Sequence, residues 1–146
     1  MLTWKTTYAS MPVQVVLAVS DQGKFSTMWE AMLQQKGCVI IQEDPDYALE
    51  TCHVIDPTLI VIDTHLSHIE RLVLCSKLRT ISSKPIILLV DESISSHMID
   101  FYNAGVDECL LKPVSPAFLV IKAMSWLLRS RWLDYSYELL PVQTIS

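Results

Sequence analysis

The stretch Leu59-Ile60-Val61-Ile62-Asp63 decides the fold. Its first four residues are large and apolar with no polar alternation, so a strand here must be covered on both faces. Such strands belong to parallel sheets flanked by helices. The run ends on a carboxylate, and the carboxyl ends of the strands are where open α/β sheets carry their sites.

Working outward, the same alternation repeats. Towards the N-terminus, Pro57 halts a helix of about Asp46–Ile55. Before it lie a strand over Cys38–Ile41, a helix over about Lys24–Lys36 and a strand over Val13–Val19. The helix places Phe25, Met28, Trp29, Met32 and Leu33 on one face, and Gly37 closes it. Towards the C-terminus come a helix over about Ile69–Thr80, a strand over Pro85–Val90, a helix over Ser93–Ala104 closed by Gly105, and a strand over Glu108–Leu111. Ser115 and Pro116 then open a last helix that runs to about Arg129 or further. Five strands and five helices in strict alternation predict a doubly wound (βα)5 three-layer sandwich with a parallel five-stranded sheet. Residues 1–12 read as a tail, 13–129 as the domain and 130–146 as a C-terminal extension.

Composition narrows the function. A 51% hydrophobic, 18% charged chain of 146 residues can bury a real core. The net charge of −5 argues against direct nucleic-acid binding, which needs a basic face. No apolar run is long enough for a membrane span, and residues 1–12 do not read as a secretory signal. Cys38, Cys52, Cys75 and Cys109 lack zinc-site spacing and read as small buried thiols in a reducing compartment.

The predicted strand ends carry Ser20 and Asp21, Asp63, Val90 with Asp91 and Glu92, and Lys112 with Pro113. Two carboxylates, Asp21 and Asp63, and one lysine, Lys112, thus converge from three strands. Paired carboxylates form a hard oxygen site suited to Mg²⁺. An aspartate can take a phosphoryl group as an acyl phosphate, and a lysine can neutralise the oxygens in transfer. Gly23-Lys24 lacks the glycine and hydroxyl spacing of a phosphate-binding loop. Ser20-Asp21-Gln22-Gly23 is too acidic and too poor in hydroxyls to cradle a flavin phosphate, and no hydrolase triad is evident. His65 and His68 find no third ligand at matching spacing and read as surface-loop histidines.

From about Val13 to Leu128 the chain resembles the receiver domains of two-component response regulators. The resemblance rests on Asp63-Thr64-His65-Leu66 with Leu72, Leu74-Cys75 and Leu78-Arg79, on Lys112-Pro113, and on Ser20-Asp21. It implies the flavodoxin-like receiver topology. It also implies phosphorylation of Asp63, Mg²⁺ held by Asp21, Asp63 and the main-chain carbonyl of His65, and a phosphate contact from Lys112. A sensor histidine kinase or phosphotransfer protein would be the donor, and any catalysis would be limited to Mg²⁺-dependent self-phosphorylation and dephosphorylation. A cytoplasmic location and a homodimer face on the fourth helix, fifth strand and fifth helix are implied too.

The chain also departs from the family pattern. Ser20 replaces an acid, Val90 the hydroxyl residue and Cys109 the aromatic residue of the switch, while Ser67 and Arg71 replace a proline and a glycine. Valine cannot donate a hydrogen bond to a phosphoryl oxygen. Val90 and Cys109 favour an alternative, a pseudo-receiver that dimerises or docks a partner without phosphorylation, with Asp63 and Lys112 held as a structural ion pair, whereas Asp21, Asp63 and Lys112 as a set favour the phospho-acceptor. In the last helix Phe118, Ile121, Met124 and Leu128 are expected to face inward. Trp126, Trp132 and the following segment are then left either to cover the domain's own core or to recruit a partner.

Overall fold

The computed structural model describes residues 13–21, 27–91 and 97–139, with side chains at all of these but 27 and 130–139. The elements are β1 (Gln14–Ser20), α1 (Thr27–Gln35), β2 (Cys38–Glu43), a 3-10 turn (Pro45–Tyr47), α2 (Ala48–Ile55), β3 (Leu59–Asp63), α3 (His68–Ile81), β4 (Ile86–Val90), α4 (Met98–Asn103), β5 (Glu108–Leu111) and α5 (Pro116–Leu139). The strands form one sheet in the order β2-β1-β3-β4-β5. Every pairing is parallel.

The period of two along each strand splits the core into two layers. Val16, Ala18, Val61, Ile87 and Leu89 face α1 and α5, where they meet Trp29, Leu33, Leu119, Val120, Ala123 and Leu127. Leu17, Val19, Ile60, Ile62, Leu88 and Val90 face the opposite side and pack with Cys52, Leu74, Cys75, Leu78 and Phe101. The first four residues of β3 are all buried, as two covered faces require. Each fully buried aliphatic contributes about 1.5–3 kcal/mol relative to an exposed one, so β3 and its neighbour β4, all five of whose residues are buried, anchor the fold.

Local signals explain the boundaries. Gly37 (φ 90°) and Gly105 (φ 110°) take the positive-φ conformation that ends helices. Asp44 accepts the Asp46 N–H (2.9 Å) and starts the 3-10 turn, so α2 begins two residues later than Asp46. Ser67 and Glu70 form a reciprocal capping box that starts α3 at His68. Ser115 accepts the Phe118 N–H (3.1 Å) at the head of α5.

Several expectations need correction. In α1 Trp29 and Leu33 are buried, but Met28 is 61% exposed, so the inward stripe is narrower than expected. Phe25 lies outside the described residues, as do residues 92–96 at the expected start of the fourth helix. α5 faces the sheet with Leu119, Val120, Ala123 and Leu127, whereas Phe118 (46%), Ile121 (61%) and Leu128 (57%) are exposed. Both stripes have helical spacing, and contact with the sheet selects the one with the smaller residues. Met124 packs partly against the core, as expected. The open end of α5 lies at Leu139, past Arg129.

One side chain ties the end of the sheet away from the strand carboxyl ends. The Arg79 guanidinium donates to the carbonyls of Gly105 (3.0 and 2.8 Å), Ser82 (2.9 Å) and Lys84 (2.9 Å), and to Asp107 Oδ2 (2.7 Å). Asp107 in turn accepts the Ile86 N–H (2.8 Å) at the start of β4. A Cβ at Gly105 would lie 2.7 Å from Arg79 Cγ, so glycine is needed here for space as well as for φ.

Candidate functional site

Register brings the site together. Ser20 at the end of β1 pairs with Asp63 at the end of β3, and Asp21 follows directly. The Asp21 carboxylate accepts the His65 backbone N–H with both oxygens (3.1 and 2.8 Å), tying the loop after β3 to the end of β1. On the other side, Leu111 of β5 pairs with Val90 of β4, and the Lys112 N–H donates to the Val90 carbonyl (2.8 Å). This extends the ladder by one residue and aims Lys112 back across the strand ends, where Nζ forms an ion pair with Asp63 Oδ1. The Lys112–Pro113 peptide bond is cis.

Asp63 and Lys112 line a cleft of about 480 Å³ with Trp29, Leu89, Asp91 and Pro113. Its lining combines apolar side chains with three charged ones, Asp63, Asp91 and Lys112. A group bound to Asp63 would thus meet one ammonium, neighbouring carboxylates and an indole wall. The donor set suits a hard divalent cation: carboxylate oxygens from adjacent strand ends, with no soft ligand among the described residues that line the cleft. Asp91 is exposed at the rim, and Glu92 lies outside the described residues.

The two expected switch positions occupy different surroundings. Val90 is fully buried in the layer beneath α2, α3 and α4. Cys109 is only partly buried, and its backbone N–H donates to the Tyr102 hydroxyl (3.0 Å). Burial pushes the Cys109 thiol up, a side-chain hydrogen bond with Tyr102 opposes this, and the Glu108 charge adds to it. Burial likewise raises Cys38 and Cys52, and it takes Cys75 to about 12. All four are free thiols, in keeping with inert core residues, three of them buried.

Other residues are not where sequence reasoning put them. His68 is not a loop residue: it opens α3, and its ring bonds Asp100 Oδ2 (3.1 Å). His65 is exposed in the loop, as expected. Arg71 is buried with its guanidinium 5.9 Å over the Phe101 ring. Trp126 is partly buried against the core, and its Nε1 donates to Glu108 (2.7 Å), so it is not free to recruit a partner. The side chain of Trp132 lies outside the described ones. The hydroxyl of Thr64, beside Asp63, is buried without a hydrogen-bond partner, and sequence reasoning did not single it out.

A family profile described as "Response regulator receiver domain" matches residues 16–124. The chain belongs to the response regulator receiver domain family. Among its relatives, the receiver domain is 22% identical over 131 residues to the transcriptional regulatory protein ResD of Bacillus subtilis, covering 89% of this chain and 55% of that protein. It is 30% identical over 120 residues to the probable transcriptional regulator ycf27 of Porphyridium aerugineum, covering 82% of this chain and 50% of that one. The chain therefore spans about half the length of the curated relatives it matches. A CheY-like response regulator receiver domain protein from Methanospirillum hungatei superimposes with a TM-score of 0.72 at 20% identity, covering 82% of this chain and 98% of that chain. The chemotaxis protein CheY4 of Vibrio cholerae superimposes with a TM-score of 0.64 at 20% identity, covering 79% and 99%. The expected fold, a flavodoxin-like receiver sheet, is thus the observed one. No described helix is long and apolar enough to cross a membrane.

Proposed function

We propose that this receiver domain takes a phosphoryl group on Asp63 from the phosphohistidine of a sensor kinase or phosphotransfer protein. The observation that carries the reading is the Asp63–Lys112 ion pair at the strand ends, with Asp21 placed alongside by the Ser20–Asp63 register. A carboxylate oxygen of Asp63 forms the new P–O bond as the P–N bond to the donor imidazole breaks, and that imidazole takes up a proton. Lys112 turns from the carboxylate to the phosphoryl oxygens and neutralises their charge. Asp21, Asp63 and the His65 main-chain carbonyl would hold Mg²⁺, which supplies further positive charge against those oxygens. The donor set supports this assignment, although Ser20 leaves the site one acid short.

The response to phosphorylation is weak in this reading. Val90 offers no hydroxyl to the phosphoryl group and Cys109 no rotating ring, so little differential contact separates the two states. Within this reading, residues 13–129 form the receiver unit, with 1–12 and 130–146 as flanking segments. Ile99, Tyr102, Leu111, Phe118 and Ile121, all exposed on α4, β5 and α5, support a homodimer face there.

The test is addition of a small-molecule phosphoryl donor, or of beryllium fluoride, with Mg²⁺. Trp29 in the cleft serves as the fluorescent reporter and Asp63→Asn as the control. A saturable, Mg²⁺-dependent change that vanishes in the control is the expected result. Identical traces for both proteins would sink the proposal.

A further inference from the structure

We propose that His68, His97 and Asp100 form a binding site for a first-row transition-metal ion of the zinc type, separate from the acidic cleft. His68 opens α3, His97 immediately precedes α4, and Asp100 lies in the first turn of α4. His68 Nε2 is 3.1 Å from Asp100 Oδ2, and His97 Nδ1 is 3.9 Å from the same oxygen. One donor atom from each of the three residues lies within 4.8 Å of the other two. Donors at about 2.0–2.1 Å from a tetrahedral ion sit about 3.3 Å apart, so the group needs only small side-chain adjustments to close on one.

The surroundings favour this use. The His68 ring stands edge-on to the buried Phe101 ring at 5.0 Å, which fixes its position. His97 is the N-cap residue of α4, three residues before Asp100, and both side chains are open enough to admit an ion. The two imidazole rings lie 5.0 Å apart at 54°, so they flank the carboxylate without stacking flat. Two imidazoles and one carboxylate suit zinc and its neighbours and suit Mg²⁺ poorly, since Mg²⁺ prefers oxygen donors. Three protein ligands leave a fourth position for water.

Two features limit affinity. His68 Nδ1 is buried without a hydrogen-bond partner, so the ring lacks the outer acceptor that ordinarily strengthens a zinc ligand about 10–100-fold. The Arg71 guanidinium, packed on the same Phe101 ring, places a positive charge nearby. A bound ion would tie the head of α3 to the head of α4.

The experiment is calorimetric titration of the chelator-treated chain with Zn²⁺ in millimolar Mg²⁺, repeated with Co²⁺ to read the visible absorption of a four-coordinate site. The expected result is one ion per chain, with His97→Ala and Asp100→Asn each weakening binding at least tenfold and Asp63→Asn leaving it unchanged. His97 is mostly exposed, so its replacement tests ligation without disturbing the core. Unaltered binding in both His97→Ala and Asp100→Asn would overturn the proposal. So would loss of binding in Asp63→Asn, or no binding at millimolar zinc.

Discussion

Replacing Val90 by Thr tests how the receiver domain would couple its site to its core. Val90 is 0% exposed at the end of β4, and its carbonyl already accepts the Lys112 N–H. Threonine has nearly the same shape but puts a hydroxyl where a methyl was. A buried hydroxyl without a partner costs about 1–3 kcal/mol, so urea unfolding of the unliganded variant should show a free energy lower by that amount. A phosphoryl mimic on Asp63 changes the balance, because it offers charged oxygens to that hydroxyl. A hydrogen bond to a charged group is worth about 1.5–3 kcal/mol net. Val90→Thr should therefore bind beryllium fluoride with Mg²⁺ about 10–100-fold more tightly than the parent chain. Urea unfolding with and without the mimic, for both proteins, measures the two quantities together by linkage. If the variant loses the same stability in both conditions, the residue at position 90 does not reach the phosphoryl group. The account of weak switching would then be wrong.

Three further predictions follow from the site and its supports. Lys112→Met removes the ammonium from Asp63 and with it a repulsion of about 2 kcal/mol on a dication at about 4 Å in a water-like dielectric. Mg²⁺ should bind about 30-fold more tightly by Trp fluorescence while phosphoryl uptake slows; unchanged Mg²⁺ affinity would remove Asp63 from the metal site. The same variant should lose no more than about 1 kcal/mol of stability, because the pair is partly exposed. Arg79→Met strips partners from three backbone carbonyls and should cost about 2–4 kcal/mol in urea unfolding, with Arg79→Lys recovering under half of that; a loss below about 0.5 kcal/mol would mean that water replaces the guanidinium. Finally, the Cys75 thiol is raised from 9.0 to about 12, chiefly by burial. The unfolded chain releases that proton first, so its contribution to stability is complete below pH 9 and is lost as pH rises towards 12, at about 1.4 kcal/mol per pH unit. The difference between parent and Cys75→Ala should narrow over that window, and a pH-independent difference would count against the burial argument.

The parts legible in the sequence were those set by short-range chemistry. A four-residue apolar run ending in Asp63, set between helix-period segments, reads as a strand covered on both faces, and glycine, proline and serine punctuation located most helix ends. The Ser67-Glu70 capping box was equally readable and would have placed the start of α3 one residue earlier. The orientation of α5 was not readable, because apolar residues line both of its faces and only contact with the sheet chooses between them. Nor was the grouping of His68 with Asp100, 32 residues apart, since it depends on how α3 and α4 meet. Arg79 drew notice only within the phosphoacceptor segment. Its anchoring role needs the positive φ and the missing Cβ of Gly105, which come from a turn 26 residues away.

The Tyr102 hydroxyl on the Cys109 N–H has a consequence for how this sheet meets other proteins. β5 is an edge strand, and edge strands invite a further strand from another chain to add on, the first step towards aggregation. Here the Cys109 N–H is already engaged by a side chain from α4, and the adjacent Glu108 is held by Trp126 and Lys122 of α5. A second chain seeking this edge must first strip away those bonds, so association on this side is steered to side-chain contact between helices rather than to an extended intermolecular sheet.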